Sequence, residues 1–560
     1  MTSVIPAISK EEVPSSRPDI CARAFPFVLF AITVAALVPR LILGSCQFIH
    51  YDGYWHVFTA TQDKWEVFIS EWRKDAHPPL YYLLLRVVAS LGHSHLIYRS
   101  LSIVPGVASM YVIGLIARKL YRSTTVALLT AAAYGFSITI IDITCDVRGY
   151  ALALFLILLA FYYFVDFLLD GWEQKEVKRS IALFGIFTSL AITVEYYAIF
   201  FWIACLGVVL LNALWDGEFR KAKFGWLARE WFYAVQFIIG IPLCVLLYLY
   251  QVHLQRHMGL EKHLIQFYWN PSRSITEFIL QSLRDDLNYI LPIEIPSATA
   301  LFVSLPLIVA LIWFLIFRRH GEVTRAASTA PILLLVLLFL QLIVLGVAAS
   351  YPFGGEARQQ SIIFPFVLLS GFLVFDRCVA FVRLPLMKNV VLVCTAALVV
   401  VSFSYWWRKF PKVSQELFTT DYNTFTAGLP PTQAVYVDQY SLIAYYIHTH
   451  AWKWQFHKAL LKPIRVDSYR ITSPSGEHLI VLRNREWNFD LRSPVFYTDL
   501  ATALRSTRVN SANLFYIANT DPAAVAVNPD AVSLLAEQAG LTAGPMLRQE
   551  NGLFIRFRLK

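Results

Sequence analysis

Five short stretches of the chain set acids, arginines or histidine among apolar and aromatic residues. Asp52 and Tyr54 lie in "YDGYWH", and Asp75 and His77 in "KDAHPPLYYLLLRVVASLG". Asp146, Arg148 and Tyr150 lie in "IDITCDVRGY", Glu195 and Tyr196 in "TVEYYA", and Glu356 and Arg358 in "YPFGGEARQQ". A carboxylate can take a proton from an attacking hydroxyl. An arginine can hold phosphate oxygens in a bidentate fork. Brought together at a bilayer surface, such groups suit a substrate that joins a lipid tail to a phosphate. Each also has a plain reading: Asp52 as a solvated acid or helix cap, Asp146 with Arg148 as a local ion pair worth about 0–1 kcal/mol if exposed. Glu195 then marks a turn, and His50, His56 and His77 are interfacial side chains.

The elements that must position these residues are membrane spans. The 560 residues are 57% hydrophobic and 15% charged, with a mean hydropathy of +0.54. Repeated long apolar runs give a polytopic α-helical membrane protein. Residues 1–24 are polar, which gives a cytoplasmic tail in place of a cleavable signal. Apolar runs follow near 25–45, 98–117, 123–141, 150–169, 180–195, 197–214, 231–251, 297–317, 330–350, 361–376 and 388–407, about 11 spans. The run 180–214 must break near Glu195 to yield two of them.

Loop charge settles the short run at 79–92. If it does not cross, the loops Arg118–Arg122, Lys175–Arg179, Arg220–Arg229, Arg318–Arg325 and Arg377–Lys388 share the cytoplasmic side, and each is rich in Lys and Arg. The opposite loops 142–149, 195–197 and 351–360 then hold only Arg148 and Arg358. This is a strong positive-inside asymmetry, and a crossing at 79–92 would reverse it throughout. The segment therefore reads as an interfacial helix begun by Pro78-Pro79, with Arg86 toward a polar face. The net charge of +10 sits in these clusters, which sets orientation and is no nucleic-acid stripe.

The resulting organisation is a transmembrane module, 25–407, with outer loops 46–97, 142–149, 252–296 and 351–360. A soluble extracytoplasmic domain, 408–560, follows. Its alternating strand-like and helix-like segments predict a small α/β layer domain, and it contains no cysteine. The 252–296 segment reads as a long polar and aromatic loop with Trp269-Asn270-Pro271 and Arg284-Asp285-Asp286. The seven cysteines show no metal-like pairing. Cys46 and Cys145 read first as two interfacial thiols, with a disulfide between the two loops as the alternative.

Taken together, "YDGYWH", "DAHPPLYYLLL", "DVRGYAL" and "YPFGGEARQQSIIFPF" resemble the GT-C membrane glycosyltransferases of the protein O-mannosyltransferase and lipid A aminoarabinose transferase kind. The likeness covers roughly the first 400 residues. It implies a plasma (inner) membrane enzyme that moves a sugar from a polyprenyl-phosphate carrier to a hydroxyl on a protein, lipid or glycan, inverting the anomeric centre at the outer face. Asp52 would be the general base, Asp146 would orient Arg148 or the sugar, and Arg148 or Arg358 would stabilise the departing phosphate. Asp75, His77, Tyr54, Tyr150, Glu195, Tyr196 and Glu356 would line the substrate cavity. The chain departs from many relatives in having Asp52-Gly53 where they have two adjacent acids, and Glu195-Tyr196-Tyr197 where they have a His-Tyr pair. No metal ligands are assigned, although a divalent ion is compatible with the superfamily. The rival classes are a transporter or flippase of a lipid-linked glycan and a non-catalytic assembly subunit. Against transport, no internal repeat is visible and most charges sit at span ends.

Overall fold

The computed structural model describes residues 20–46, 49, 51–62, 64–75, 77–92, 94–169, 174–215, 217–224, 226–227, 230–253, 267–290, 325–381, 385–409, 434–437, 456–461, 466–473, 476–483, 491–507, 510–517, 527–549 and 552–560. The first span is α1, Ile20–Cys46. Three short helices follow, α2 over Tyr51–Ala60, α3 over Trp65–Lys74 and α4 over Pro79–Ala89. Then come α5, His95–Leu120, α6, Thr124–Gly135, and α7, Ile138–Cys145. The next long helices are α8, Tyr150–Leu168, α9, Gln174–Val194, and α10, Ala198–Trp215.

Beyond them lie α11, Trp231–Ile238, and α12, Gly240–Leu247, which continues into a π-helical turn over Tyr248–Val252. Helix α13 spans Ile275–Ile290, α14 spans Arg325–Val347, α15 spans Phe364–Phe381 and α16 spans Pro385–Lys409. Among the described residues seven helices are long and apolar enough to cross a bilayer, or eight if α6 and α7, bent by 53° at their junction, form one span. The 231–251 run is broken at Ile239, and the 297–317 run lies outside the described residues. The chain is an integral membrane protein.

Local chemistry explains the boundaries near the site. Ser94 and Ser123 cap α5 and α6 by accepting from Ile97 N and Val126 N at 3.2 and 3.4 Å. The break expected near Glu195 falls there, between α9 and α10. Eleven residues of α4 rise about 16 Å, half of a 30 Å hydrocarbon core, so α4 does not span. Tyr81, Tyr82, Leu85 and Ala89 form its buried face. Arg86 turns to protein and not to a polar face: its Nη1 donates to the Ala60 and Gln62 carbonyls at 3.0 and 2.5 Å, and its guanidinium lies 4.9 Å from the Trp65 ring centroid. It closes the open carbonyls where α2 ends.

One correction concerns 252–296. Residues 275–290 are a helix, because Ile275, Phe278, Ile279, Ser282, Leu283, Asp286 and Tyr289 recur at spacings of three and four. Ser274 accepts from Glu277 N at 3.1 Å and starts it.

The C-terminal residues form a mixed eight-stranded sheet, in the order β2-β3-β4-β1-β5-β8-β6 with β7 also on β8. The strands are β1 Ala434–Val437, β2 Phe456–Leu461, β3 Val466–Ser473, β4 Gly476–Arg483, β5 Ser511–Ile517, β6 Leu541–Ala543, β7 Leu547–Gln549 and β8 Gly552–Leu559. Among the described residues only β1 pairs in parallel, with β4 and β5. Helices α17, Pro494–Thr507, and α18, Pro529–Gln538, pack Phe496, Leu500, Val532 and Ala536 on Leu553, Ile555 and Phe557 of β8. The period of two on β8 gives this sheet its buried face.

Candidate active site

The segment 146–149 is fixed through its backbone. Arg99 of α5 is buried; its Nε donates to the Cys145 carbonyl and its Nη1 to that of Gly44, both at 2.7 Å. Ser102, also buried on α5, donates to the Arg148 carbonyl at 3.1 Å. Arg40 of α1 donates to Thr144 Oγ1 at 2.8 Å and to the Gly135 carbonyl at 2.9 Å, spanning the bend between α6 and α7. Cys145 is a buried free thiol whose Sγ donates to the Arg40 carbonyl at 3.6 Å, and the side chain of Cys46 lies outside the described residues.

This scaffold presents Arg148 to two other segments. Its Nη1 meets Asp52 Oδ2 at 3.2 Å, and its Nη2 lies 3.2 Å from His77 Nε2. Arg358 Nη1 donates to the same Asp52 oxygen at 2.8 Å and its Nε to Glu356. His77 Nδ1 lies 3.0 Å from Glu195 Oε2. A continuous chain thus runs Glu195–His77–Arg148–Asp52–Arg358–Glu356. Burial works against charge on Arg148, yet the Asp52 carboxylate overrides it and holds the guanidinium firmly protonated.

Two glycines make the approach possible. A Cβ on Gly149 would lie 2.7 Å from Glu195 Oε1 and 3.1 Å from the Val194 carbonyl. A Cβ on Gly53 would lie 2.7 Å from Ile49 Cγ2 and 3.2 Å from Val147 Cβ. The position beside Asp52 is thus crowded by the Ile49 and Val147 side chains, the Ile49 contact being too close for any side chain without a shift.

The remaining expected residues divide. Tyr150 is buried 5.2 Å beneath Arg148 Cζ and meets the His77 ring edge-on at 5.9 Å. Tyr196 donates to Gln251 Oε1 at 2.5 Å. Asp146 sits beside the chain of contacts, its Oδ1 accepting from Val147 N at 2.9 Å; it shapes the turn. Tyr54 lies in α2, with its side chain outside the described residues, as is His50. Asp75 lies on the His77 strand of backbone, which Gln251 holds: its Nε2 donates to the Asp75 and His77 carbonyls, both at 2.8 Å, and to that of Trp72 at 3.2 Å.

Sequence reasoning missed Gln251, Arg99 and Ser102. A buried polar residue within an apolar run is the only signal they carry. The turn that aims Arg358 depends on Gly354 and Gly355, at φ of 76° and 84°, and on Ser282 and Tyr289 of α13, which donate to the Phe353 and Gly355 carbonyls.

His56, Asp75 and His77 place one ligand atom each within 4.8 Å of one another. His56 Nδ1–H donates to the Asp52 carbonyl at 2.5 Å, and burial lowers its pKa to about 4. Both nitrogens of His77, however, are engaged, one of them by the Arg148 guanidinium. A cation here would have to displace a cation, so the cluster suits hydrogen bonding better than ion ligation.

Residues 89–257 match the family described as dolichyl-phosphate-mannose-protein mannosyltransferase. No curated protein matches the chain. Among solved structures, ArnT from Cupriavidus metallidurans bound to undecaprenyl phosphate aligns over 94% of this chain and 97% of its own, at 11% identity and a TM-score of 0.56. The apo form of that protein aligns over 96% and 98%, with the same identity and TM-score. The resemblance read from the motifs is borne out: this is a membrane protein with the GT-C glycosyltransferase fold, and residues 89–257 carry the match to the protein mannosyltransferase family.

Proposed function

We propose that the chain is an inverting glycosyltransferase that moves a sugar from a polyprenyl-phosphate carrier to an acceptor hydroxyl on the extracytoplasmic face. The observation that carries this reading is the convergence of Arg148 and Arg358 on one oxygen of Asp52. Two guanidinium groups on one carboxylate oxygen form a ready anion clamp. Arg148 adds a third donor, since its buried Nε–H has no acceptor among the described residues. A lipid phosphate entering the site takes over these donors and releases Asp52. The freed carboxylate then accepts the proton of the acceptor hydroxyl as its oxygen attacks the anomeric carbon. The carbon–phosphate-oxygen bond breaks on the opposite side, and the charge gained by the phosphate falls on Arg148 and Arg358. Direct attack of this kind inverts the anomeric configuration.

The undecaprenyl phosphate bound by ArnT supports the carrier class. Loop charge supports a cytoplasmic N-terminal tail and an extracytoplasmic sheet domain, and multi-pass residence in the plasma (inner) membrane. The acceptor class follows from the need for a hydroxyl nucleophile, and protein, lipid or glycan could supply it. The test is incubation of the purified protein in lipid nanodiscs with a labelled polyprenyl-phosphate sugar and candidate hydroxyl acceptors. Label moving to an acceptor with inverted linkage supports the reading; passage of intact carrier across vesicles with no transfer overturns it in favour of a flippase.

A further inference from the structure

The Glu195–His77–Arg148 arm has a direction that its distances alone do not state. Arginine carries donors only. For Arg148 Nη2 to bond His77 Nε2 at 3.2 Å, that nitrogen must present its lone pair. The ring proton must then sit on Nδ1, where Glu195 Oε2 accepts it at 3.0 Å. A carboxylate accepting from one imidazole nitrogen fixes the tautomer and so the role of the other. The histidine itself cannot move away. The His77 carbonyl accepts from Gln251 Nε2 and from Trp72 Nε1 at 2.8 and 3.1 Å, and the residue is 7% exposed. Glu195 is equally fixed, in a turn that only Gly149 lets approach.

We propose that His77 is a positioning residue, held by Glu195 as the Nδ1–H tautomer so that its Nε2 lone pair aims Arg148 at the site Asp52 shares with the donor phosphate. Taking up a second proton turns Nε2 into a donor facing a donor, and Arg148 loses its alignment. This rests on the reading of Arg148 as a phosphate clamp. The groups facing His77 are Glu195 from the α9–α10 turn, Arg148 from the α7–α8 turn, His56 of α2 at 5.0 Å between ring centroids, Tyr150 of α8, and Asp75 beside it in sequence. Burial opposes the second proton, but the charge and hydrogen bond of Glu195 outweigh it and raise the pKa above the ordinary histidine value. Transfer should therefore fall on the acid side at a higher pH than an ordinary histidine would give.

The experiment combines a spectroscopic and a kinetic readout on the full chain in lipid nanodiscs. With ¹⁵N-histidine labelling, and the His77 signals identified by their loss in His77→Gln, the wild type at a pH above the His77 titration midpoint should show a protonated Nδ1 and a bare Nε2. Glu195→Gln should lower the His77 titration midpoint by about one pH unit or more, and the acid limb of the transfer rate should move with it. His77→Gln keeps an acceptor for Arg148 and should retain transfer within about tenfold of wild type while losing that acid limb, whereas His77→Leu should lose about a hundredfold or more in kcat. An Nε2–H tautomer, or a midpoint unmoved in Glu195→Gln, overturns the proposal. The spectra stand without turnover: the expected tautomer and shift in a protein that transfers no sugar would refute the glycosyltransferase reading and leave the His77 arrangement intact.

Discussion

Arg358 reaches across 306 residues of sequence to donate to Asp52 Oδ2 at 2.8 Å, the same oxygen that Arg148 contacts at 3.2 Å. Two cations on one oxygen make Asp52 a poor base as it stands and the arginines a strong anion site. On the proposed reading the pairing is a resting arrangement that an incoming phosphate exchanges. Arg358→Ala should lower kcat for transfer by about 10²–10³, the size of losing a charge-stabilising donor. Arg358→Lys should recover only part of it, because an ammonium does not reproduce the fork. Initial rates over a range of donor concentration check this; an unchanged kcat in Arg358→Ala would remove that residue from the account.

Gly149 adopts φ −65° in the right-handed helical region, so alanine there brings no backbone strain. The added Cβ would instead push Glu195 Oε1 from 2.7 Å and disturb its bond to His77. Gly149→Ala should destabilise the fold by about 1–3 kcal/mol, as overpacking does, and reduce transfer more than Asp146→Asn does. Thermal unfolding and transfer rates on the two variants measure the contrast.

Gln251 stitches three carbonyls of the 72–77 segment to the π-helical turn after α12. Gln251→Leu should free that segment and cost about 1–3 kcal/mol through buried carbonyls left unpaired. Faster hydrogen exchange confined to the segment around Asp75 and His77 would show it; exchange unchanged there would mean that other contacts hold the strand.

His56 gives a pH signature in stability. Burial depresses its folded pKa to about 4, while the unfolded chain titrates near 6.5. Between those values the unfolded state binds more protons, so its contribution to stability is complete above about pH 6.5 and is lost as pH falls toward 4. The full span is worth about 3 kcal/mol. His56→Phe keeps the stack on Tyr82, now 4.9 Å between centroids, and should flatten this acid slope in unfolding measurements. His77 contributes with the opposite sign, through a raised pKa, so the wild-type-minus-variant difference is the quantity to read.

How far the sequence carries depends on where each residue's partner lies. Lysines and arginines clustered in alternate loops gave an expectation of sidedness, and the shortness of α4 agrees with leaving 79–92 out of the spans. The acids and arginines were legible because ionisable residues between apolar runs are costly. Their pairing was not: the acid nearest Arg148 in sequence is Asp146, but the structure gives Arg148 to Asp52 and His77. His77, expected to line the substrate cavity, lies between Glu195 and Arg148. Arg99, Ser102 and Gln251 act on backbone carbonyls 46 to 179 residues away, and contacts to carbonyls leave no trace in residue type. In α13 the polar and aromatic composition hid a helical period that burial makes plain.

The most direct test of the account separates donor binding from transfer in Asp52→Asn. Single-turnover transfer from a labelled polyprenyl-phosphate sugar and equilibrium binding of the same carrier are measured on wild type and variant in nanodiscs. The account predicts donor binding at least as tight as wild type, because the arginines no longer pair with a carboxylate, together with transfer slowed by about 10²–10⁴, the contribution of a general base. Transfer at the wild-type rate in Asp52→Asn would contradict it.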